Sequence, residues 1–240
     1  AVCVTVGLWK PIELGIENES LAIKMVDLLT NPSAYHFEGR VGIIGGGATA
    51  LDCAVTARKC GAAHVELLML EKLSEMPLTS KERQEILDFD IEVNGRIRVS
   101  KLMAENGKIT GMETIRQELP DGTRFSPSNI RYIAGANGIR PDFNAVVIAI
   151  GMRPSLPRGE QIQGLFYAGD ILTGPKTVVE ALASGKNTAL EIDAWLQKKE
   201  KPVIEKPNKS YYSLPGYNPL PVALDTEFFG RRIISPYLIS

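Results

Sequence analysis

The 240-residue chain contains no Cys-x-x-Cys pair. Its three cysteines, Cys3, Cys53 and Cys60, are too few and too scattered for a disulfide framework. The same spacing excludes a structural zinc site or a cysteine-ligated iron–sulfur cluster built from this chain. Long apolar runs are missing too. A stretch such as Ala145-Val146-Val147-Ile148-Ala149-Ile150 falls well short of the ~20 residues of a membrane-spanning helix. Neither sign of charge is in excess: 27 basic and 28 acidic residues leave a formal net charge of −1. That balance supplies no electrostatic footprint for nucleic acid and no patch for an anionic membrane surface. There is no internal repeat and no low-complexity tract. A phosphate loop of the GxxxxGK[ST] type is also absent. Gly169 to Lys176 resembles one superficially, but Pro175 separates Gly174 from Lys176 and breaks the spacing.

What remains is ordinary globular material, 44% hydrophobic and 23% charged. Residues 2–6 read as a buried strand, with no initiator Met and no charged region of a signal peptide before them. We expect the chain to be a piece of something longer, in a reducing, cytoplasmic setting. Residues 19–29 carry helical spacing at Leu21, Met25, Leu28 and Leu29. A strand at 40–44, a glycine turn and a helix at 48–60 follow, then a strand at 64–70. Cys53 and Cys60 fall seven apart on one face of that helix and read as buried core thiols. Thr79-Ser80-Lys81-Glu82 is a capping sequence for a helix through about Leu87. From 91 to 133 the pattern turns strand-like, with turn pairs Asn94-Gly95, Asn106-Gly107 and Asp121-Gly122, which suggests an inserted antiparallel meander. Buried strands at 143–150 and 164–168 precede a long helix from about Lys176 to Leu196. Six of the fifteen prolines lie in 197–240, where residues 197–219 read as an extended linker.

The firmest motif is Gly45-Gly46-Gly47-Ala48-Thr49-Ala50, a GxGxxA loop between strand and helix. Gly45 permits the tight turn, Gly47 lets a pyrophosphate approach the backbone, and Ala50 keeps helix and strand close. The helix then offers free amides and its positive dipole end to phosphates. The next strand ends at Glu71, 26 residues after Gly45, where a carboxylate accepts hydrogen bonds from the adenosine ribose. A carboxylate there suits a free 2′-hydroxyl, so NAD(H) is favoured, while the adjacent Lys72 keeps NADP(H) open.

Gly164-Leu165-Phe166-Tyr167-Ala168-Gly169-Asp170 is a second strand ending in a glycine turn, with a helix beginning near Lys176. By itself this is no more than an Asp before a helix. With Val179-Glu180-Ala181-Leu182-Ala183-Ser184-Gly185-Lys186 behind it, it resembles the closing flavin motif of two-dinucleotide flavoproteins. Val6-Gly7-Leu8-Trp9-Lys10-Pro11 and Ile150-Gly151-Met152-Arg153-Pro154 resemble the paired strand ends where such chains cross between their FAD and NAD(P) domains. Over residues 1 to about 196 the chain resembles the small (beta) subunit of glutamate synthase and the amino-terminal half of dihydropyrimidine dehydrogenase. The most diagnostic stretch runs from Val41 to Ala54 and is followed by Ser74-Glu75-Met76-Pro77.

The resemblance implies an α/β, Rossmann-like two-dinucleotide-binding flavoprotein fold with an inserted antiparallel meander and an incomplete FAD domain. It divides the chain into 1–37, an FAD-domain strand and connector; 38–152, the NAD(P)-binding domain; 153–196, the closing FAD-domain segment; and 197–240, a linker. The last stretch, 222–240, resembles the opening of an FMN barrel of the dihydroorotate dehydrogenase type. The implied function is electron input, with hydride passing from NAD(P)H to FAD and electrons onward to iron–sulfur clusters and a second active site. Asp170 would accept a hydrogen bond from a ribityl hydroxyl. The helix opening at Lys176, Thr177 and Val178 would face the flavin edge, with Gly151 and Gly169 at the strand ends. No side chain is expected to act as acid or base, and no metal ligand is expected. Glu180 and Lys186 read as helix-surface or packing residues. Two departures stand out. The family commonly has Asn at Ala48 and Arg-Arg at Leu70-Glu71, and the first glycine fingerprint for FAD is missing. If the gene begins here, the alternative is a non-catalytic nucleotide-binding or scaffold subunit.

Overall fold

The computed structural model describes residues 1–156 and 162–200. The expected linker from 201 onward and the barrel-like stretch at 222–240 lie outside the described residues. The chain divides into two compact units, 1–185 and 186–240. In chain order the elements are β1 (Val2–Val4), β2 (Lys10–Pro11), β3 (Ile23–Lys24), α1 (Met25–Thr30), β4 (Arg40–Ile44), α2 (Ala48–Lys59), β5 (His64–Leu68) and α3 (Ser80–Asp88). There follow β6 (Ile91–Asn94), β7 (Ile97–Glu105), β8 (Lys108–Glu118), β9 (Arg131–Pro141), β10 (Phe143–Ile148), β11 (Met152–Arg153), β12 (Leu165–Tyr167), α4 (Asp170–Thr173) and α5 (Val178–Leu196).

A five-stranded parallel sheet in the order β3-β10-β4-β5-β6 forms the centre of the first unit. Its central strands β4, β5 and β10 are largely apolar on both faces because both faces are covered. Met25 and Leu28 of α1, Ala50, Leu51, Ala54 and Ala57 of α2 and Ile86 of α3 pack on Val41, Ile43, Val65, Leu67 and Val147. The opposite face, Ile44, Leu68, Val146 and Ile148, is covered by Ile97, Val99 and Leu102 of β7 and Ile109 and Met112 of β8. The second cover belongs to an antiparallel sheet, β7-β8-β9. Its β7–β8 turn is Asn106-Gly107, both at positive φ (50° and 74°), as a tight hairpin demands. Gly42 makes room for the cover: a Cβ there would stand 2.8 Å from Met112 Cε and 3.1 Å from the Phe143 ring.

Among the described residues, one charged group is buried between sheet and meander. Glu66, mid-strand in β5, is 1% exposed. Arg40 of β4 donates to its Oε2 at 2.5 Å, Asn94 of β6 donates to Oε1 at 2.7 Å, and Arg140 of β9 is ion-paired with Oε1. Burial pushes the Glu66 carboxyl up, against the opposing pull of Arg140 and Arg40. The cluster ties the meander to the parallel sheet through charge as well as apolar contact.

The fold class matches the expectation from sequence, and the glycine loop, α2 and the Thr79 cap fall where the pattern puts them. Several segments differ. Residues 19–29 are a 3-10 turn (Glu19–Leu21), then β3, then the six-residue α1. The reason is local. The Glu19 carboxylate accepts from the amides of Leu14, Gly15 and Ile16, and Ile23–Lys24 is taken up as the edge strand beside β10. Ile91–Asn94 belongs to the parallel sheet, so Asn94-Gly95 joins two sheets and is not a hairpin turn. α4 was not expected, and α5 begins at Val178. Cys53 is buried and its thiol is pushed up to about 12 by burial. Cys60, just past the end of α2, is only half-buried and donates to the Pro32 carbonyl at 3.4 Å. In the second unit, the end of α5 buries Thr188 and Ala194. Among the described residues no helix is long and apolar enough to cross a membrane.

Replacing Glu66 by Ala leaves two guanidinium groups without their buried counter-ion and should cost about 3 kcal/mol of stability. Urea denaturation followed by circular dichroism checks it. A loss below about 1 kcal/mol would mean that the Arg40 and Arg140 pairs do not hold the meander down.

Candidate dinucleotide-binding site

The site begins where β4 runs out. Gly45 has φ 143° and its amide donates to the Leu68 carbonyl at 3.0 Å, while the Ala149 amide donates to Ile44 at 2.8 Å. These bonds draw the ends of β4, β5 and β10 together. A Cβ on Gly45 would stand 2.2 Å from the Ala149 carbonyl oxygen and 3.2 Å from Ala50 Cβ. Only glycine fits such a backbone approach.

The next two glycines do different things. A Cβ on Gly46 would meet Glu71 Oε2 at 2.6 Å and Met69 Sδ at 3.0 Å. The Glu71 carboxylate therefore stands directly against the loop. Around Gly47 a Cβ would meet nothing within 4 Å. Gly47 is the N-cap of α2, in extended conformation, and no side chain caps the helix. The first amides of α2 have no carbonyl within the helix to bond. An anion placed over Gly47 would meet those amides and the positive end of the helix dipole, with no side chain in the way. Ala48 is half-buried, Thr49 exposed and Ala50 buried under the loop.

Beyond Glu71 the chain turns sharply, and two residues that the sequence reading did not assign hold this turn. The Lys72 amide donates to Glu75 Oε2 at 2.8 Å. Arg96, at the start of β7's approach, donates from Nη1 to the Leu70 carbonyl at 2.6 Å and from Nη2 to Glu75 Oε1 at 2.7 Å. Its guanidinium also lies 5.4 Å from the Phe125 ring centroid. Arg96 has φ 58°, uncommon for a residue with a side chain. Gly95 permits the contact, since a Cβ there would stand 2.5 Å from the Glu71 carbonyl oxygen. The Asn-Gly-Arg sequence after the third strand of a dinucleotide-binding unit was the available signal. The Lys72 side chain is exposed.

The second group of sequence-selected residues gathers around β12. β1 and β12 form a two-stranded parallel sheet. β2 pairs antiparallel with β11, so the segments 6–11 and 150–154 meet through Lys10–Pro11 and Met152–Arg153, with the Ile12 amide donating to the Gly151 carbonyl at 3.1 Å; Gly7 and Gly151 have φ 67° and 103°. Gly169 has φ 71° and its amide donates to Ser184 Oγ at 2.9 Å. Asp170 opens α4, and its buried Oδ1 has no hydrogen-bond partner in the structure. A buried carboxylate oxygen without a donor is costly unless a ligand supplies one.

Lys176 and Thr177 precede α5, and Thr177 caps it. The Thr177 amide and Oγ1 donate to Glu180 Oε2 at 3.0 and 2.8 Å, and the Glu180 amide donates back to Thr177 Oγ1 at 3.3 Å. These bonds hold the Glu180 carboxyl below its ordinary range. Glu180 is thus a capping residue rather than a passive surface one. The Thr177 amide is already occupied, while Val178 follows on the first turn and is exposed.

Comparison with known proteins agrees with this architecture. Residues 3–185 match the family model described as pyridine nucleotide-disulphide oxidoreductase. The NADP(+)-dependent formate dehydrogenase subunit beta of Moorella thermoacetica is 29% identical over 85% of this chain and 33% of its own length. The glutamate synthase [NADPH] small chain of Escherichia coli is 28% identical over 82% of this chain and 50% of its own length. The NAD-dependent dihydropyrimidine dehydrogenase subunit PreT of the same organism is 26% identical over 82% of this chain and 48% of its own length. The chain thus spans a third to a half of the length of these relatives. Among solved structures, Mycobacterium tuberculosis FprA in complex with NADPH superposes with a TM-score of 0.66 at 18% identity, over 82% of this chain and 64% of FprA. The fold, the glycine loop and the match over residues 3–185 together place this chain in the pyridine nucleotide-disulphide oxidoreductase family.

Proposed function

We propose that the chain is the electron-input module of a flavin-linked oxidoreductase, of the kind found in the small chain of glutamate synthase, and that it takes NADH in preference to NADPH. The observation that carries the reading is the contrast within one loop. Gly46 is pressed against the Glu71 carboxylate, whereas Gly47 opens onto the start of α2. A dinucleotide lying across the loop has its pyrophosphate over Gly47 and its adenosine ribose at Glu71. There the carboxylate accepts from the 2′- and 3′-hydroxyls. A 2′-phosphate in the same place would meet a negative charge, and Lys72 alone offers the compensating cation. The relatives' names include both NADPH and NAD, so the preference here rests on Glu71.

The Asp170 region fits FAD. Asp170 Oδ1 is a buried acceptor without a donor, as a carboxylate waiting for a ribityl hydroxyl should be. The positive φ at Gly169 brings the backbone into the turn that aims it. When bound, FAD supplies the two-electron acceptor for the nicotinamide's hydride. The chain's own contribution is position and electrostatics, with no side chain as acid or base. Cys53 is buried with a thiol raised to about 12, and these 240 residues hold no Cys-x-x-Cys, so this stretch supplies no redox disulfide of that type. In the intact protein the electrons' route runs to iron–sulfur groups and to a second site.

Two predictions test this. Gly47→Ala adds a methyl group into open space at an unstrained φ, so stability should change by no more than about 1 kcal/mol. NADH affinity should nevertheless fall about tenfold or more, because the methyl takes the place of the pyrophosphate. Differential scanning fluorimetry and quenching of NADH fluorescence measure the two effects. Unchanged binding would remove the pyrophosphate from Gly47. Separately, Glu71→Arg should invert the preference toward NADPH in calorimetric titrations. An unaltered ratio of the two dissociation constants would place the ribose elsewhere.

A further inference from the structure

Ser74-Glu75-Met76-Pro77 plays no part in the function proposed above, yet its carboxylate is the most heavily engaged acid in the neighbourhood of Glu71. Both oxygens of Glu75 are committed. Oε1 takes the Arg96 guanidinium at 2.7 Å and Oε2 takes the Lys72 amide at 2.8 Å. The Glu75 and Arg96 side chains are 25% and 12% exposed, so water competes for neither freely.

We propose that Glu75 determines coenzyme specificity by acting as an internal counter-ion, occupying the Arg96 guanidinium that would otherwise bind a 2′-phosphate. The inference rests on the placement of the adenosine ribose at Glu71. Arg96 is a cation held at that turn: its Nη1 donates to the carbonyl of Leu70, the residue before Glu71. Gly95, beside it, packs its Cα against the Glu71 carbonyl. A guanidinium is the side chain best suited to a phosphate, since it donates in a planar fork. Here that fork is divided between a carbonyl and a carboxylate, and its position is fixed further by the Phe125 ring.

Glu75 cannot easily swing away, because its second oxygen is held by the Lys72 amide. The Arg96 hydrogen bond, with smaller help from the Lys72 amide and charge, holds the Glu75 carboxyl below its ordinary range. It is therefore ionised at neutral pH and remains an effective competitor. A 2′-phosphate would have to displace one anion from Arg96 while standing beside another at Glu71. A free 2′-hydroxyl faces neither cost. The specificity is thus double: Glu71 accepts from the hydroxyl, and Glu75 withholds the cation that a phosphate needs.

Glu75→Gln removes the charge while keeping an oxygen for the Lys72 amide. NADPH affinity should rise about tenfold, with NADH affinity unchanged within about twofold. Adding Arg96→Gln, which keeps a donor for the Leu70 carbonyl, should abolish the gain. Titrations with NADH and NADPH on the full chain read both. Unchanged NADPH affinity in Glu75→Gln, a gain that survives Arg96→Gln, or equal weakening of both coenzymes would each overturn the proposal. Glu71→Gln is titrated in parallel. If it leaves NADH affinity intact, the ribose placement itself fails. If it weakens NADH while Glu75→Gln leaves NADPH unchanged, only the counter-ion proposal fails.

Discussion

A methyl group at Gly45 would sit 2.2 Å from the Ala149 carbonyl oxygen, and this single close approach organises the site. It lets β4 end flush against β10, so that the glycine loop leaves the sheet at the carboxyl edge of its strands. In parallel α/β sheets that edge is where ligands gather. The same approach brings Ala50 under the turn and starts α2 close to the sheet, with its uncapped amides facing outward. Glu71 is carried to the loop by the neighbouring β5, whose register with β4 pairs Ile44 with Leu68. The loop and helix start thus follow from one backbone contact, and the acid from the register of the strand beside it.

The opposite face of the sheet is governed by a second exclusion. Gly42 has no side chain because Met112 and Phe143 need the space. The meander can then close over β4 and bring Arg140 to Glu66. Burying a carboxylate is unfavourable alone and tolerable with two guanidinium groups and an amide around it. The meander also brings Phe125 to Arg96. Through Arg96, this inserted sheet reaches the turn that carries Glu71. The insertion covers apolar surface and supports the proposed coenzyme site at once.

What was legible in the sequence follows from these constraints. Strands β4, β5 and β10 announced themselves as largely apolar runs because both of their faces are buried, and the GxGxxA loop announced itself because backbone contact forces glycine. The Thr79 cap was legible because its signal is local. Residues 19–29 misled because Leu21, Met25, Leu28 and Leu29 are spaced for a helix, while the Glu19 carboxylate and the edge pairing of Ile23 decide otherwise. Asn94-Gly95 carries the composition of a hairpin turn. Only tertiary packing against Glu71 reveals that it joins two sheets. Arg96 and Glu75 were illegible for a related reason. They lie 21 residues apart, and their pairing depends on β5 and β6 being neighbours.

Discrimination between the two nicotinamide coenzymes is a matter of where charge is available, and not only of which charged residues are present. Lys72 and Arg96 together would suggest an NADPH site if residues were merely counted. The structure changes the sum. Arg96 is already bonded to Glu75, and the same carboxylate draws on Lys72 through its amide and its charge. The carboxylate of Glu71 stands at the loop with Gly46 pressed against it. Releasing a cation from a part-buried pair leaves its carboxylate without a counter-ion, which is costly, whereas an exposed cation costs little to redirect. On the proposed reading, the part-buried Arg96–Glu75 pair withholds one of the two nearby positive charges and leaves the exposed Lys72 ammonium as the other.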